Sequence, residues 1–157
     1  MQQGKVELRP VIRADVENIM SWLNDDEIVE SWFGRYTYGD PAHLGYHPTE
    51  TLAKPEEDWV TIFQNPQHII LSIYNSEGIH VGESHVAVEE SLGDGQISIL
   101  IGKKEWWDHG YGSQALLETI KICFETVGLF RVWADVPEYN TRAIHVFENL
   151  GFIHEGS

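Results

Sequence analysis

With 157 residues, a formal net charge of −15 and a single cysteine, the chain has the length of one domain and excludes an internal disulfide framework. Its 42% hydrophobic content serves one core, and a chain of this size buries roughly 68–70% of its unfolded surface without staples. The acidity argues against nucleic acid as a partner. No run of about 18 apolar residues and no signal-peptide pattern is present, so a soluble, cytoplasmic protein is expected. Acidity also suits attraction of a cationic substrate, although for net charge alone solubility or a saline habitat is the plainer account.

In chain order, Lys5 to Pro10 reads as a first strand. Asp15 is placed to cap a helix whose stripe is Val16, Ile19, Met20 and Leu23. A second short helix is expected from Asp26 to Phe33, and a loop rich in Gly, Pro, Tyr and His from Gly34 to Pro55. Nine acids between Asp25 and Asp58 face only two bases, Arg35 and Lys54. A loop this long is usually either functional or mobile. Pro55 to Phe63 is expected to be a third helix. His68 to Tyr74 and Ile79 to Glu89 form a hairpin around Asn75-Ser76-Glu77-Gly78. Leu92-Gly93-Asp94-Gly95 then turns into the strand Gln96 to Ile101, which Gly102 ends. From Ser113 a helix follows, with Leu116, Ile120, Cys123 and Val127 on one face. Cys123 on that face is a core residue. Phe130 to Val136 reads as a buried strand, Thr141 to Leu150 as a helix with Gly151 just past its end, and Phe152 and Ile153 as the start of another strand. The order implies an α/β fold with a mixed sheet covered on both faces.

Gly110 and Gly112 flank Tyr111 at the start of the long helix, where unbonded N–H groups and the helix dipole suit a phosphate or pyrophosphate. Gly110 to Ala115 also satisfies the dinucleotide fingerprint G-x-G-x-x-A, with Asp135 a conceivable ribose ligand. In a Rossmann unit, however, the glycines follow the strand almost directly, and here Gly102 to His109 intervene. NAD binding without CoA binding would favour that oxidoreductase reading.

Downstream stand Asn140-Thr141-Arg142-Ala143 and Phe147-Glu148-Asn149-Leu150-Gly151-Phe152. With Ile99–Ile101, Trp106-Trp107-Asp108-His109-Gly110-Tyr111-Gly112 and Ala115-Leu116, they make the chain resemble the GNAT superfamily of acyl-CoA-dependent N-acyltransferases. The Trp before the glycines and Leu8-Arg9-Pro10 are similar to the branch holding RimJ/RimL-type ribosomal-protein acetyltransferases, some aminoglycoside acetyltransferases and polyamine acetyltransferases. The resemblance implies acetyl-CoA as co-substrate. Its pyrophosphate would lie on the N–H groups of His109, Gly110, Tyr111, Gly112 and Ser113, with Lys103, Lys104 and His109 offsetting its charge. Its pantetheine arm would pair with Ile99, Leu100 and Ile101, one of whose N–H groups could polarise the thioester, and would meet Asn140 and the neighbourhood of Phe147. The first helices and the acidic loop would wall the acceptor site.

Two departures concern catalysis. Many family members carry a Tyr at the position of Phe147 to protonate the leaving thiolate, and near relatives a Ser at the position of Ala143. Tyr139 and Tyr111 are the candidate substitutes. Many also carry a Glu on the central strand, where this chain offers Gln96 and Ser98. Glu83 and His85 share one face of the preceding strand, turned either to the cleft, as a base acting through water, or to solvent. His43 and His47 lie in the Gly/Pro loop, so no metal site is expected. The expected activity is acetyl transfer to a primary amine by direct attack. The acceptor would be a cationic polyamine, an aminoglycoside-like amine or a protein N-terminus. The alternative is a catalytically impaired acyl-CoA sensor. The family's last strand is expected beyond Gly156, so the edge here is either truncated or covered by a second subunit, and a homodimer is possible.

Overall fold

A computed structural model describes residues 5–30, 48–134 and 141–153. Five strands form one sheet in sequence order: β1 (Val6–Pro10), β2 (His68–Asn75), β3 (His80–Glu89), β4 (Asp94–Ile101) and β5 (Arg131–Trp133). The first four are antiparallel neighbours and β5 lies parallel to β4, so the sheet is mixed as expected. Four short helices follow β1, namely α1 (Arg13–Trp22), α2 (Asp26–Glu30), α3 (Pro48–Leu52) and α4 (Trp59–Phe63). Helix α5 (Tyr111–Lys121) follows β4 and continues as a π-helical turn over Ile122–Val127, and α6 (Thr141–Asn149) follows β5.

The period of two along each strand sorts the core into two layers. Ile97, Ile99 and Ile101 of β4 pack with Ala115, Leu116, Cys123, Ala143 and Phe147 beneath α5 and α6. Leu100 of β4 and Ile70 of β2 turn the other way, onto Val16, Ile19, Trp22, Ile28 and Trp59 of α1, α2 and α4. Each isoleucine or leucine so buried contributes about 1.5–3 kcal/mol.

Several expectations need correction. Asp15 does not sit at the N-cap: α1 starts two residues earlier, and Asp15 reaches back from the first turn to accept the Ile12 N–H at 3.1 Å. Part of the expected loop from Gly34 to Pro55 is helical, as α3, where Thr51 is buried and Leu52 packs against the apolar cluster of α1. Pro55 to Phe63 is broken into a 3₁₀ turn, Glu56–Asp58, and α4. β5 has three residues and is not buried; Phe130 is 88% exposed. Phe152 and Ile153 form no strand. Gly78 (φ +79°) and Gly151 (φ +93°) do occupy the left-handed positions that the turn and the helix end required.

Candidate active site

β4 is the hinge of the site. It pairs with β3 along its whole length, from Glu89↔Asp94 to Gly82↔Ile101. With β5 it pairs only at its foot, Asp94↔Arg131 to Gln96↔Trp133. The Gly102 N–H donates to the Val81 carbonyl at 2.9 Å. Antiparallel alternation therefore turns the backbone groups of Leu100 and Ser98 towards β3, and those of Ile99 and Ile101 away from it, towards the side on which β5 pairs lower down. Among the described residues no strand pairs with Ile99 or Ile101 on that side. Of the three residues expected to offer an open backbone, Ile99 and Ile101 turn their N–H and C=O groups away from β3. Leu100 does not, because its groups are taken up by the β3 ladder.

Gly102 lets the chain leave β4 beneath α1. A Cβ there would lie 2.1 Å from the Trp22 ring, so only glycine fits under the indole. Trp22 also meets Trp106 edge-on at 6.0 Å. Trp106 belongs to a 3₁₀ turn, Lys104–His109, that carries the chain to Gly110. The ammonium of Lys103 stands 5.1 Å above the Trp106 ring, and that of Lys104 is 3.1 Å from Glu27 of α2. Gly110 (φ +78°) is the N-cap of α5, its carbonyl accepting the Gln114 N–H at 3.1 Å. The amides of Tyr111, Gly112 and Ser113 then have no helical carbonyl to bond. His109 and Gly110 are exposed, and Lys103 stands exposed at the start of the same turn. The His109 ring stacks on Tyr111 at 5.3 Å. The Tyr111 hydroxyl accepts from Asn75 Nδ2 at 3.3 Å, which ties the helix start to the upper end of β2.

Glu83 and His85 share a face, as expected, and that face is covered rather than turned to solvent. Glu83 is 2% and His85 6% exposed. They stand across the β3–β4 ladder from Leu100 and Ser98, on the layer that α1 to α4 cover. His85 Nε2 lies 2.9 Å from Nδ1 of His68, the first residue of β2, and the two rings stack at 5.2 Å. Above them lies a buried polar network. Asp15 accepts hydrogen bonds from Ser72 Oγ at 2.7 Å and from the Tyr74 hydroxyl, and lies 3.5 Å from His80 Nδ1. His80 Nε2 donates to the Gly82 carbonyl at 2.9 Å, leaving Nδ1 to accept from Asn18 Nδ2 at 3.0 Å. Burial lowers the His80 pKa against the opposing pull of Asp15. Burial, then the bond to Asp15, pushes the Tyr74 hydroxyl up to about 12.

The sequence reading missed this network and the His68 partner. A carboxylate one position before an apolar helical stripe was their only signal, and capping explained it just as well. Phe147 lies in the core, edge-on to Phe152 at 4.9 Å. It also lines an apolar cavity of about 550 Å³ between the π turn, β5 and α6, with Phe124, Val132 and Ile144. That cavity contains none of the glycine-loop residues. Cys123 is buried and its thiol is pushed up to about 11 by desolvation, so it is no nucleophile. Asn140, Tyr139, Asp135, His43 and His47 lie outside the described residues. Among the described residues there is no cluster of three metal-ligating side chains, and no helix is long and apolar enough to cross a membrane.

Residues 5–153 match the family described as acetyltransferase (GNAT) domain. An aminoglycoside N(6')-acetyltransferase type 1 of Klebsiella pneumoniae is 24% identical over 163 residues, which span 97% of this chain and 76% of that protein. The enzyme of the same name from Serratia marcescens matches to the same extent. Among solved structures, a spermidine N-acetyltransferase from Vibrio cholerae in complex with CoA and spermine superposes with a TM-score of 0.75 at 19% identity, covering 96% of this chain and 82% of that one. A dodecameric structure of the V. cholerae enzyme superposes at 0.72, with 18% identity and 96% and 81% coverage.

Proposed function

Since the chain belongs to the acetyltransferase (GNAT) domain family, it is an acetyl-CoA-dependent N-acetyltransferase, and we propose that its acceptor is the primary amine of a cationic small molecule. Polyamines and aminoglycoside-like amines come first, and a protein N-terminus third. The observation that carries the cofactor assignment is one end of the sheet. There Ile99 and Ile101 turn their backbone groups away from β3, and the first amides of α5 follow the Lys104–His109 turn that leaves β4.

Acetyl-CoA, as co-substrate, supplies an activated thioester. In this reading the amides from His109 to Ser113 take its pyrophosphate, and Lys103 and His109 offset its charge. Ile99 and Ile101 pair with the pantetheine arm, and one of their N–H groups is the oxyanion donor. Asn140 adds a hydrogen bond to the arm. Glu83 and His85 take the proton from the incoming amine, one strand away from β4. A thiol pKa of about 8.5 makes a thiolate a fair leaving group without a tyrosine at Phe147.

The acceptor class rests on charge. Asp25, just before α2, and Asp26, Glu27, Glu50, Glu56, Glu57 and Asp58, on α2, α3 and the 3₁₀ turn before α4, are all exposed, beside the layer that covers the Glu83/His85 face. Kinship with the branch containing RimJ/RimL-type enzymes is supported by Leu8-Arg9-Pro10 and the Trp pair. Residues 1–157 constitute one catalytic domain in the cytoplasm in this reading, and the chain self-associates; a strictly monomeric species in a light-scattering concentration series removes the last point.

The test has two stages. Calorimetry should give micromolar binding of acetyl-CoA and weaker binding by Gly110→Val, with NAD as control. Thiol release should then be seen with spermine, kanamycin or a tripeptide amine. The absence of a Tyr at Phe147 favours a second reading, an acyl-CoA-binding module without turnover. Binding with no thiol release from any amine would establish that instead.

A further inference from the structure

We propose that His85 and His68 form the line along which the proton released by each acetyl transfer leaves the protein. The proposal rests on the reading above, in which Glu83 and His85 serve the incoming amine. The balance of the reaction requires such an exit. An ammonium acceptor and acetyl-CoA become an amide, a free thiol and one proton. The C–N bond forms and the C–S bond breaks. The nitrogen loses two protons; the thiolate sulfur takes one, and the other must reach solvent.

Glu83 and His85 are too deeply covered to release it themselves, at 2% and 6% exposed. They stand one strand over from Leu100 and Ser98 of β4, and neighbouring strands are about 4.8 Å apart. Two residues apart on one strand, they follow each other along the face by about 6.8 Å, downwards from the cofactor end. At the lower end His85 meets His68. The 2.9 Å separation of His85 Nε2 and His68 Nδ1 means that one nitrogen carries hydrogen and the other accepts. A proton arriving at His85 Nδ1 lets Nε2 pass its own hydrogen to His68 Nδ1, and His68 then releases a proton from Nε2. No oxidant or further reactant is needed.

The placement of His68 fits this role. Unlike His85, it is only half-buried. Its backbone is fixed, with its N–H on the Asn65 carbonyl at 3.1 Å and its Cα opposite Ala87. It begins β2, whereas Asn75, which touches Tyr111 at the cofactor loop, ends it. The exit therefore opens at the end of the sheet away from the α5 start, and the proton does not compete with the cofactor for a path.

The test compares His68→Ala, His68→Gln, His85→Ala and Glu83→Gln in the full chain, following thiol release with spermine, kanamycin and a tripeptide as amines. For His68→Ala we expect kcat to fall about ten- to hundredfold, KM for acetyl-CoA to stay within about twofold, and added imidazole to restore most of kcat. His68→Gln, which can hydrogen-bond but cannot shuttle a proton, should be as slow as His68→Ala. If His68→Ala keeps its kcat while His85→Ala loses it, the relay is wrong and the base assignment stands. If neither His85→Ala nor Glu83→Gln is slowed, the base assignment fails and the relay with it. A slow His68→Ala that imidazole leaves slow, or a His68→Gln of full activity, reduces the pair to a structural hydrogen bond. Absence of turnover with all three amines overturns both.

Discussion

Gly102→Ala tests whether the loop that leads from β4 to α5 is anchored under Trp22. Gly102 is not in the left-handed region, so its backbone tolerates alanine and the effect is purely steric. An added Cβ would lie 2.1, 2.2 and 2.5 Å from three atoms of the Trp22 ring, where ordinary contact begins at 3.4 Å. The indole must therefore retreat by more than 1 Å, and it has little space to do so. It is 7% exposed and packed against His80 at 4.8 Å and Trp106 at 6.0 Å. Over-packing of this kind costs typically about 1–3 kcal/mol, and a rigid aromatic ring places this case near the upper end. For a chain of this length about 2–4 °C is lost per kcal/mol, so Tm should fall by roughly 6–12 °C. Acetyl-CoA should also bind more weakly, because Trp106 and Lys103 move with the ring. The assay is thermal unfolding by circular dichroism with and without acetyl-CoA, repeated on Trp22→Leu and on the double variant. Trp22→Leu removes the obstacle, so the double variant should be more stable than the sum of the single losses. A Gly102→Ala protein melting within about 2 °C of the parent, or strict additivity in the cycle, would refute the reasoning.

The polar network under α1 gives a pH dependence with a definite sign. His80 has a lowered pKa in the fold, so below about pH 6.5 the unfolded chain binds the extra proton and stability declines on acidification; a denaturant series from pH 7.5 to 5 should show that slope, reduced in His80→Gln. Tyr74, raised to about 12, acts oppositely: stability is retained below pH 10 and lost as pH climbs towards 12, a loss absent from Tyr74→Phe. Asp15→Ala leaves the hydroxyls of Ser72 and Tyr74 without their acceptor, at about 1–3 kcal/mol for a buried polar group, measurable as a shift in the urea midpoint. Cys123 should react with a thiol reagent only as fast as the chain unfolds, since burial holds the thiol at about 11; rapid labelling in native buffer would contradict its core placement.

The strands and the long helix were readable because their periods are clean. Ile97, Ile99 and Ile101 alternate with Ser98 and Leu100, and Leu116 and Cys123 recur on one helical face. The glycine turn was readable because Gly110 needs a left-handed φ that few other residues adopt. Short helices were not. α3 carries little propensity of its own and exists because Pro48 and Thr51 are buried and Leu52 packs onto the α1 layer. Nor could spacing alone decide whether Glu83 and His85 faced a cleft or solvent, since a period of two gives a shared face and not its covering. Asp15 illustrates the same limit. One carboxylate can cap a helix or hold a buried network, and only the register of β2 beneath α1 brings Ser72 and Tyr74 within its reach.

The unequal joining of β4 to its two neighbours has a consequence for how the molecule comes apart. Among the described residues, eight residue pairs zip β4 to β3, while three tie it to β5. Under native conditions the amides of β5 should therefore exchange with deuterium long before those of β3 and β4, as a separate sub-global opening. In a mechanical experiment pulling on both ends, β5 and α6 should detach first at low force, leaving the antiparallel ribbon to yield later. The same unequal seam makes the described sheet a two-stage fastening, tight on the β3 side of β4 and loose on the β5 side.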